Sequence, residues 1–371
     1  MYKILYIIST LRHTGPVIQL FNICNHLNRK IFLPEILTLS PEPVDSIKKI
    51  FEEINIPIVE LNNSRLSGIF KNTIQIKKII RKLKPDIIHT HAIRADVIIH
   101  SLKFKNHVST IHIYAPEDYR MKYGKWTGAI MSRKHIKIFK SMKYALACSE
   151  ELANRLKELG LVLSFVNNGV DEGKYKNTGN VFKKQLRRKL NIDEKSKIFL
   201  SASELNERKN VKLLIDCFNK ISNSDEKLII LGSGPEEIPL KNLAKGNQNI
   251  TFIGKVNNVN EYYNAADFFI SGSFSEGMSM SVLEAMSSGL PVLLSDIPSH
   301  RSVFNNKDNY IYFFSPFEIN NLMECIKKIE MDNYEQLSSQ MRKIVLDNYT
   351  AKKMSQNYQK IYKKIIRDEI N

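Results

Sequence analysis

The sequence predicts an α/β protein made of two doubly wound units, each a parallel sheet with helices on both faces. Three observations lead there. Short apolar runs alternate with amphipathic stretches throughout the first half of the chain. The same alternation restarts after Asn168-Gly169-Val170-Asp171. The length, 371 residues, exceeds what one hydrophobic core usually serves.

In order, residues 4–9 (Ile-Leu-Tyr-Ile-Ile-Ser) read as a buried first strand. Val17, Leu20, Phe21, Ile23, Cys24 and Leu27 follow at helical spacing. Residues 34–39 form a second apolar run, and a helical pattern covers 44–54. Residues 74–83 are amphipathic and basic, and Lys84-Pro85-Asp86-Ile87-Ile88-His89 restarts a strand. Residues 108–113 and 144–148 are further strands. In the second unit, 198–201 is a strand, 211–222 a helix, and 228–231 a strand ending in Gly232-Ser233-Gly234-Pro235. Strands at 250–253 and 268–271 follow. Met354, Tyr358, Ile361, Tyr362, Ile365 and Ile366 place an amphipathic closing helix in the tail. Ligands of such folds bind beyond the carboxyl ends of the strands, so the expected site is a cleft between the domains.

Composition narrows the class. Hydrophobic residues make up 43% and charged residues 25%, as in an ordinary globular protein. No run approaches the roughly 18 to 20 apolar residues that span a bilayer. The short apolar N-terminal segment runs into Thr14-Gly15-Pro16 without a signal-peptide cleavage pattern. Cys24, Cys148, Cys217 and Cys325 are scattered without metal or redox spacing, so a reduced, cytoplasmic protein is expected. The net charge of +17 is sharpest in residues 120–143, where Arg120, Lys122, Lys125, Arg133, Lys134, Lys137, Lys140 and Lys143 stand without an acidic neighbour. Trp126, Ile130, Met131, Ile138, Phe139 and Met142 are interleaved among them, a mixture suited to lying on an anionic bilayer at the inner membrane face. No recognition helix or aromatic sheet motif accompanies the charge, which argues against nucleic acid.

The chemistry concentrates in Ser275-Glu276-Gly277-Met278-Ser279-Met280-Ser281-Val282-Leu283-Glu284 and the Gly289-Leu290-Pro291 stop beyond it. The pattern reads as loop, short helix, turn, strand. The helix is expected to start near Met278 to Met280, with Ser279 or Ser281 capping it. Amides at such a start form an anion and hydroxyl site. These residues resemble the E-x7-E element of retaining glycosyltransferases of family 4, the glycogen-synthase-like group with the GT-B fold. Lys84-Pro85-Asp86-Ile87-Ile88-His89-Thr90-His91, Asn168-Gly169-Val170-Asp171 and Leu231-Gly232-Ser233-Gly234-Pro235-Glu236 resemble further motifs of that family, in its order.

The resemblance implies a GT-B protein with an acceptor-binding domain at 1–172, completed by a helix at 350–371, and a nucleotide-sugar-binding domain at 173–349. It implies a retaining hexosyl- or N-acetylhexosaminyltransferase. The donor would be a nucleotide sugar, UDP-linked ahead of GDP-linked, and the acceptor a lipid-linked saccharide or polysaccharide of a bacterial surface glycan such as capsule or O-antigen. Glu276, with the amides near Gly277, Met278 and Ser279, would hold donor-sugar hydroxyls, and Glu284 the nucleotide ribose. Lys209 matches the family's phosphate lysine, and His112 its donor-sugar histidine at a strand end. Ile253 and Val256 would cover the base, and Gly15 would let backbone approach a phosphate. Where many members have Arg-Leu, this chain has Glu204-Leu205, so Arg208 is the expected compensating cation. Many relatives have two adjacent glycines where Gly15 stands alone. With no Asp-x-Asp loop and no His/Cys cluster, no metal and no cofactor is expected, and lysine and backbone amides would stabilise the leaving diphosphate. His89 and His91 alternate on one strand and are expected to be structural or acceptor-side. The alternatives are a GT-B-fold sugar-nucleotide epimerase and a catalytically silent nucleotide-binding relative.

Overall fold

The computed structural model describes residues 1–63, 68–221, 225–304 and 311–370. Backbone contacts divide the chain into two units, Met1–Gly169 with Ala351–Asn371, and Val170–Thr350.

The first unit opens with β1 (Tyr2–Ile8), α1 (Gly15–Asn25), β2 (Phe32–Thr38), α2 (Lys48–Glu53) and β3 (Ile58–Glu60). It continues with α3 (Gly68–Leu83), β4 (Ile87–His91), α4 (Ile93–Ser101) and β5 (His107–Ile111). Then come α5 (Ala115–Tyr123), α6 (Lys125–Ser141), β6 (Tyr144–Ala147), α7 (Glu150–Glu158) and β7 (Ser164–Phe165). The strands form one parallel sheet in the order β3-β2-β1-β4-β5-β6-β7. Alternation along β1 sends Ile4, Tyr6 and Ile8 into one core and Leu5 and Ile7 into another, so helices cover both faces.

The second unit runs α8 (Gly179–Lys189), β8 (Lys197–Ala202), α9 (Val211–Lys220), β9 (Glu226–Leu231), α10 (Glu237–Leu243) and β10 (Ile250–Gly254). It ends with α11 (Val259–Ala265), β11 (Phe268–Ser271), α12 (Met280–Ser287), β12 (Val292–Ser295), α13 (Pro298–Arg301), β13 (Tyr312–Phe314), α14 (Ile319–Met331) and α15 (Tyr334–Asn348). Its parallel sheet has the order β10-β9-β8-β11-β12-β13, and Phe199, Leu214, Phe218, Leu228, Ile230 and Ile270 build its core. The last helix, α16 (Ala351–Ile370), belongs to the first unit: Met354, Tyr358, Tyr362, Ile365 and Ile366 pack into the same core as Tyr6 and Leu20.

Several boundaries differ from expectation. The helix expected at 44–54 starts only at Lys48. Glu42 accepts hydrogen bonds from Leu11 N (2.9 Å) and Ser46 Oγ (2.6 Å), which holds the preceding segment as a turn and leaves Val44 exposed. The helix expected at 74–83 starts earlier, at Gly68. The helix expected at 211–222 stops at Lys220, and Ser222 and Asn371 lie outside the described residues.

The basic segment 120–143 is split at Gly124 between α5 and α6, and all eight of its cations are exposed. Gly128 lets the two helices touch, because a Cβ there would sit 2.2 Å from Tyr119 O. A buried chain, Tyr119 OH to His135 Nδ1 (2.8 Å) and His135 Nε2 to Asp96 Oδ2 (3.0 Å), ties both helices to α4. The apolar residues among the cations divide. Trp126 and Ile130 are exposed, whereas Ile138 and Phe139 are buried in the unit. Among the described residues no helix is long and apolar enough to cross a membrane.

Candidate active site

In the second unit the strand order reverses between β8 and β11, a topological switch point of the kind where open α/β sheets bind ligands. The loops leaving these two strands carry the candidate residues. After β8 the chain makes a 3-10 turn, Glu207–Lys209, in which Asn206 Oδ1 accepts from Lys209 N (3.2 Å). Asn210 follows in the left-handed region (φ 48°), and its side chain donates to Gly272 O (3.1 Å) and Pro316 O (2.9 Å). That clamp fixes the β8 loop against the β11 loop at the start of α9. Next door, Gly232 has φ +124°, and a Cβ there would lie 1.8 Å from Ser203 O, so only glycine admits this approach of the β9 turn.

Glu276 is buried in the β11 loop, 7% exposed, and is where the two loops meet. Its Oε1 accepts from Lys209 Nζ (2.5 Å) and Ser273 Oγ (2.8 Å), and its Oε2 from Arg208 Nη1 (2.8 Å). Arg208 Nη1 also donates to Ser275 O (2.6 Å). Burial alone would raise the pKa of this carboxyl. Lys209 and Arg208 outweigh that and hold it well below the usual carboxylate range, so it is ionised at neutral pH. Burial lowers the pKa of Lys209, Arg208 adds to the effect, and Glu276 opposes it. Within the hydrogen-bonded cluster two cations face one carboxylate, and Glu204 acts on Lys209 from outside it.

The helix α12 begins at Met280, with Ser279 as its N-cap residue. The expected serine cap is corrected: Ser279 makes no side-chain cap bond, its Oγ lying 3.2 Å from Ser281 Oγ. Gly277, Met278 and Ser279 are buried at this start. Glu284, half-buried in α12, accepts from the Tyr263 hydroxyl (3.1 Å) and also bonds Tyr175. Burial raises its pKa to about 7, against the lowering effect of Tyr263, Lys174 and Tyr175. The two glutamates therefore differ in kind, Glu276 firmly charged and Glu284 poised at neutrality. Ile253 near the end of β10, and Val256 beyond it, are both half-buried. Glu204 is exposed, bonded to Asn206 Nδ2 (3.1 Å), and its charge acts on Lys209 without a hydrogen bond to it.

In the first unit, Gly15 opens α1 after the β1 loop, with Pro16 in the first turn. His112 follows β5 and is half-buried. Its Nε2 lies 3.0 Å from His91 Nδ1. Burial lowers its pKa to about 4. His89 is structural: its ring bonds Tyr362 OH (2.7 Å) of α16 and Thr110 Oγ1 (2.8 Å).

Comparison with known proteins names this arrangement. The family model described as glycosyl transferases group 1 matches residues 182–360, and that described as glycosyltransferase family 4 matches residues 14–174. The chain belongs to the family 4-like glycosyltransferases. As a glycosyltransferase it is 26% identical to the O-antigen biosynthesis glycosyltransferase WclY of Escherichia coli, over 99% of each chain. It is 27% identical to the UDP-Gal:alpha-D-GlcNAc-diphosphoundecaprenol alpha-1,3-galactosyltransferase of Escherichia coli, over 71% of this chain and 70% of that one. Its fold is GT-B, like that of Anabaena HepE in complex with UDP-glucose, which matches with a TM-score of 0.84 at 17% identity over 98% of this chain and 100% of the other. The enzyme is a transferase, so the epimerase alternative falls.

Reading the sequence did not find Ser273, Tyr175 or Tyr263. The first lies inside the Gly272-Ser273-Phe274-Ser275 run ahead of Glu276, a visible polar turn. The tyrosines come from α11 and the segment before α8, and no local pattern joins either to Glu284. His300, fully buried after β12 and electrostatically coupled to Glu276, was likewise not singled out.

Proposed function

We propose that this glycosyltransferase is a retaining, metal-independent enzyme. It transfers a hexosyl or N-acetylhexosaminyl group from a nucleotide sugar, UDP-linked ahead of GDP-linked, to a lipid-linked saccharide or polysaccharide in bacterial surface glycan synthesis. The observation that carries the reading is Glu276 gripped by Lys209 and Arg208 across the β8/β11 switch point. A diphosphate entering there meets Lys209, Arg208 and the amide-rich start of α12, which would stabilise it as a leaving group. Glu276, kept ionised, accepts from donor-sugar hydroxyls, and Glu284 accepts from the ribose. His112 contacts the donor sugar, Ile253 and Val256 cover the base, and Gly15 admits backbone to a phosphate. The acceptor attacks on the face from which the diphosphate departs, and its proton passes to the leaving phosphate. WclY and the undecaprenol-linked galactosyltransferase support the surface-glycan setting and the lipid-linked acceptor, and HepE the UDP-sugar donor.

Trp126 and Ile130, 79% and 66% exposed beside eight exposed cations, support the reading of a peripheral enzyme that docks on the anionic cytoplasmic leaflet. Melting shifts across UDP, GDP, UDP-sugars and GDP-sugars, with and without chelator, test the reading. A chelator-insensitive rise with UDP and UDP-sugars, lost in Lys209→Ala, is expected. No shift with any of them would overturn it.

A further inference from the structure

The carboxyl end of β4 holds features that the assignments above leave unused. His91 is fully buried there. Its ring lies edge to edge with His112, centroids 5.3 Å apart and 26° between planes, and stacks on His89 at 4.4 Å. Its Nδ1 faces His112 Nε2 at 3.0 Å, while its own Nε2 is buried and has no hydrogen-bond partner among the described residues. The next residue, Ala92, which turns the chain from β4 into α4, sits at φ 80°, ψ 151°. Residues with a side chain rarely adopt that region, and such strain persists only where the surroundings over-determine it, most often at functional sites. β4 adjoins β1 at the point where the first sheet reverses its strand order.

Two neutral imidazoles facing nitrogen to nitrogen use one proton between them. Burial holds both rings neutral, His91 with its pKa well below the usual range and His112 at about 4. Suppose His112 Nε2 carried the shared proton. His91 would then accept at Nδ1 and carry its own proton at Nε2, leaving a buried N–H with no acceptor. In the opposite arrangement the unpartnered atom is a lone pair. Orphaned buried N–H groups are the rarer of the two, so the second arrangement is favoured.

We infer that His91 is a positioning residue that donates Nδ1–H to His112 Nε2 and thereby fixes His112 as the Nδ1–H tautomer. His112 then presents one donor and no acceptor beyond the pair. Among the described residues nothing bonds that Nδ1. Resting on the reading of His112 as a donor-sugar contact, the inference says something about specificity. The sugar position facing His112 must accept a hydrogen bond, as a hydroxyl or carbonyl oxygen does, and a deoxy position is discriminated against.

Nitrogen-15 NMR of the histidine side chains in the full-length protein tests this without turnover. The unaltered protein should show His112 as the Nδ1–H tautomer. His91→Phe, which keeps a ring but removes the donor, should move His112 toward Nε2–H. His91→Asn, whose amide can donate from the position of Nδ1, should restore it. An Nε2–H His112 in the unaltered protein overturns the inference, even if neither variant folds. UDP release from UDP-glucose, UDP-galactose and UDP-N-acetylglucosamine gives the kinetic arm. kcat should fall roughly tenfold in His91→Phe with KM little changed, the worth of one well-made hydrogen bond, and recover in His91→Asn. Equal turnover in both variants overturns the positioning role. Full activity in His112→Ala overturns instead the reading of His112 as a sugar contact, and the tautomer result stands apart from it.

Discussion

Glu284 offers the most quantitative test of the site. Buried against Tyr263 and Tyr175, it titrates at about 7 rather than at its ordinary 4.5. An ionised carboxylate accepts from two ribose hydroxyls, whereas a protonated one must spend a proton as donor. With a pKa near 7, about 9% of the protein is ionised at pH 6 and about 91% at pH 8. If only the ionised form binds, the Kd for a nucleotide sugar tightens about tenfold over that interval, or about 1.4 kcal/mol. UDP-glucose is the ligand of choice, because it lacks the terminal phosphate monoester of UDP, which itself titrates near pH 6. Calorimetry at pH 6, 7 and 8 gives the affinity, and buffers of different ionisation enthalpy give the proton count. At pH 7 binding should release roughly half a proton, with Glu284→Gln showing neither the slope nor the release. An equal affinity at pH 6 and 8, or the same slope in Glu284→Gln, would refute the assignment. Stability carries the opposite sign. The folded protein binds this proton more tightly than the unfolded chain, so the unliganded enzyme loses stability as pH rises from about 4.5 to about 7.

Three further outcomes follow from the geometry. Glu276→Ala leaves Lys209 and Arg208 facing each other without their carboxylate. It should lower turnover by about 10²–10³-fold and stability by about 3 kcal/mol, and full activity with UDP-sugars would remove Glu276 from the site. Gly232→Ala forces a Cβ into Ser203 O and should prevent soluble folding of the second unit; a melting temperature within a few degrees of the parent would show that the β9 turn yields. The double variant Trp126→Ser, Ile130→Ser should lose at least about tenfold in sedimentation with phosphatidylglycerol vesicles, and high salt should release the unaltered protein as well. Unchanged binding by the variant would move the docking surface elsewhere.

Parallel strands buried on both faces read as unbroken apolar runs, which is why 4–8 and 228–231 were legible from hydropathy alone. The helix at 44–54 misled because its apolar spacing continues into a turn that Glu42 closes through Leu11 and Ser46, bonds invisible to any periodicity. The strands Ile58–Glu60 and Ser164–Phe165 have too few residues to show a period. At the site, spacing marked Glu276 and Glu284, and the family resemblance marked Lys209. Pairing was beyond it: Lys209 and Glu276 are 67 residues apart, and Tyr263 and Glu284 are 21 apart on different helices. Alternation placed His89 and His91 on one face, yet only packing sends the first to the tyrosines of α16 and the second to His112.

The place of α16 also bears on how the protein is made. Tyr358 OH lies 3.0 Å from Thr110 Oγ1, and Tyr362 OH lies within reach of both His89 (2.7 Å) and Tyr6 (3.2 Å), so the final helix is part of the first unit's interior. Val170–Thr350 is contiguous, so all of its residues are made before α16. The first unit, although synthesised earlier, has to wait for residues 351–370. An N-terminal domain usually folds first during synthesis, but this one cannot close its core that early. Until those residues arrive, Tyr6, Leu20 and Ile23 lack the cover that α16 gives them in the shared core.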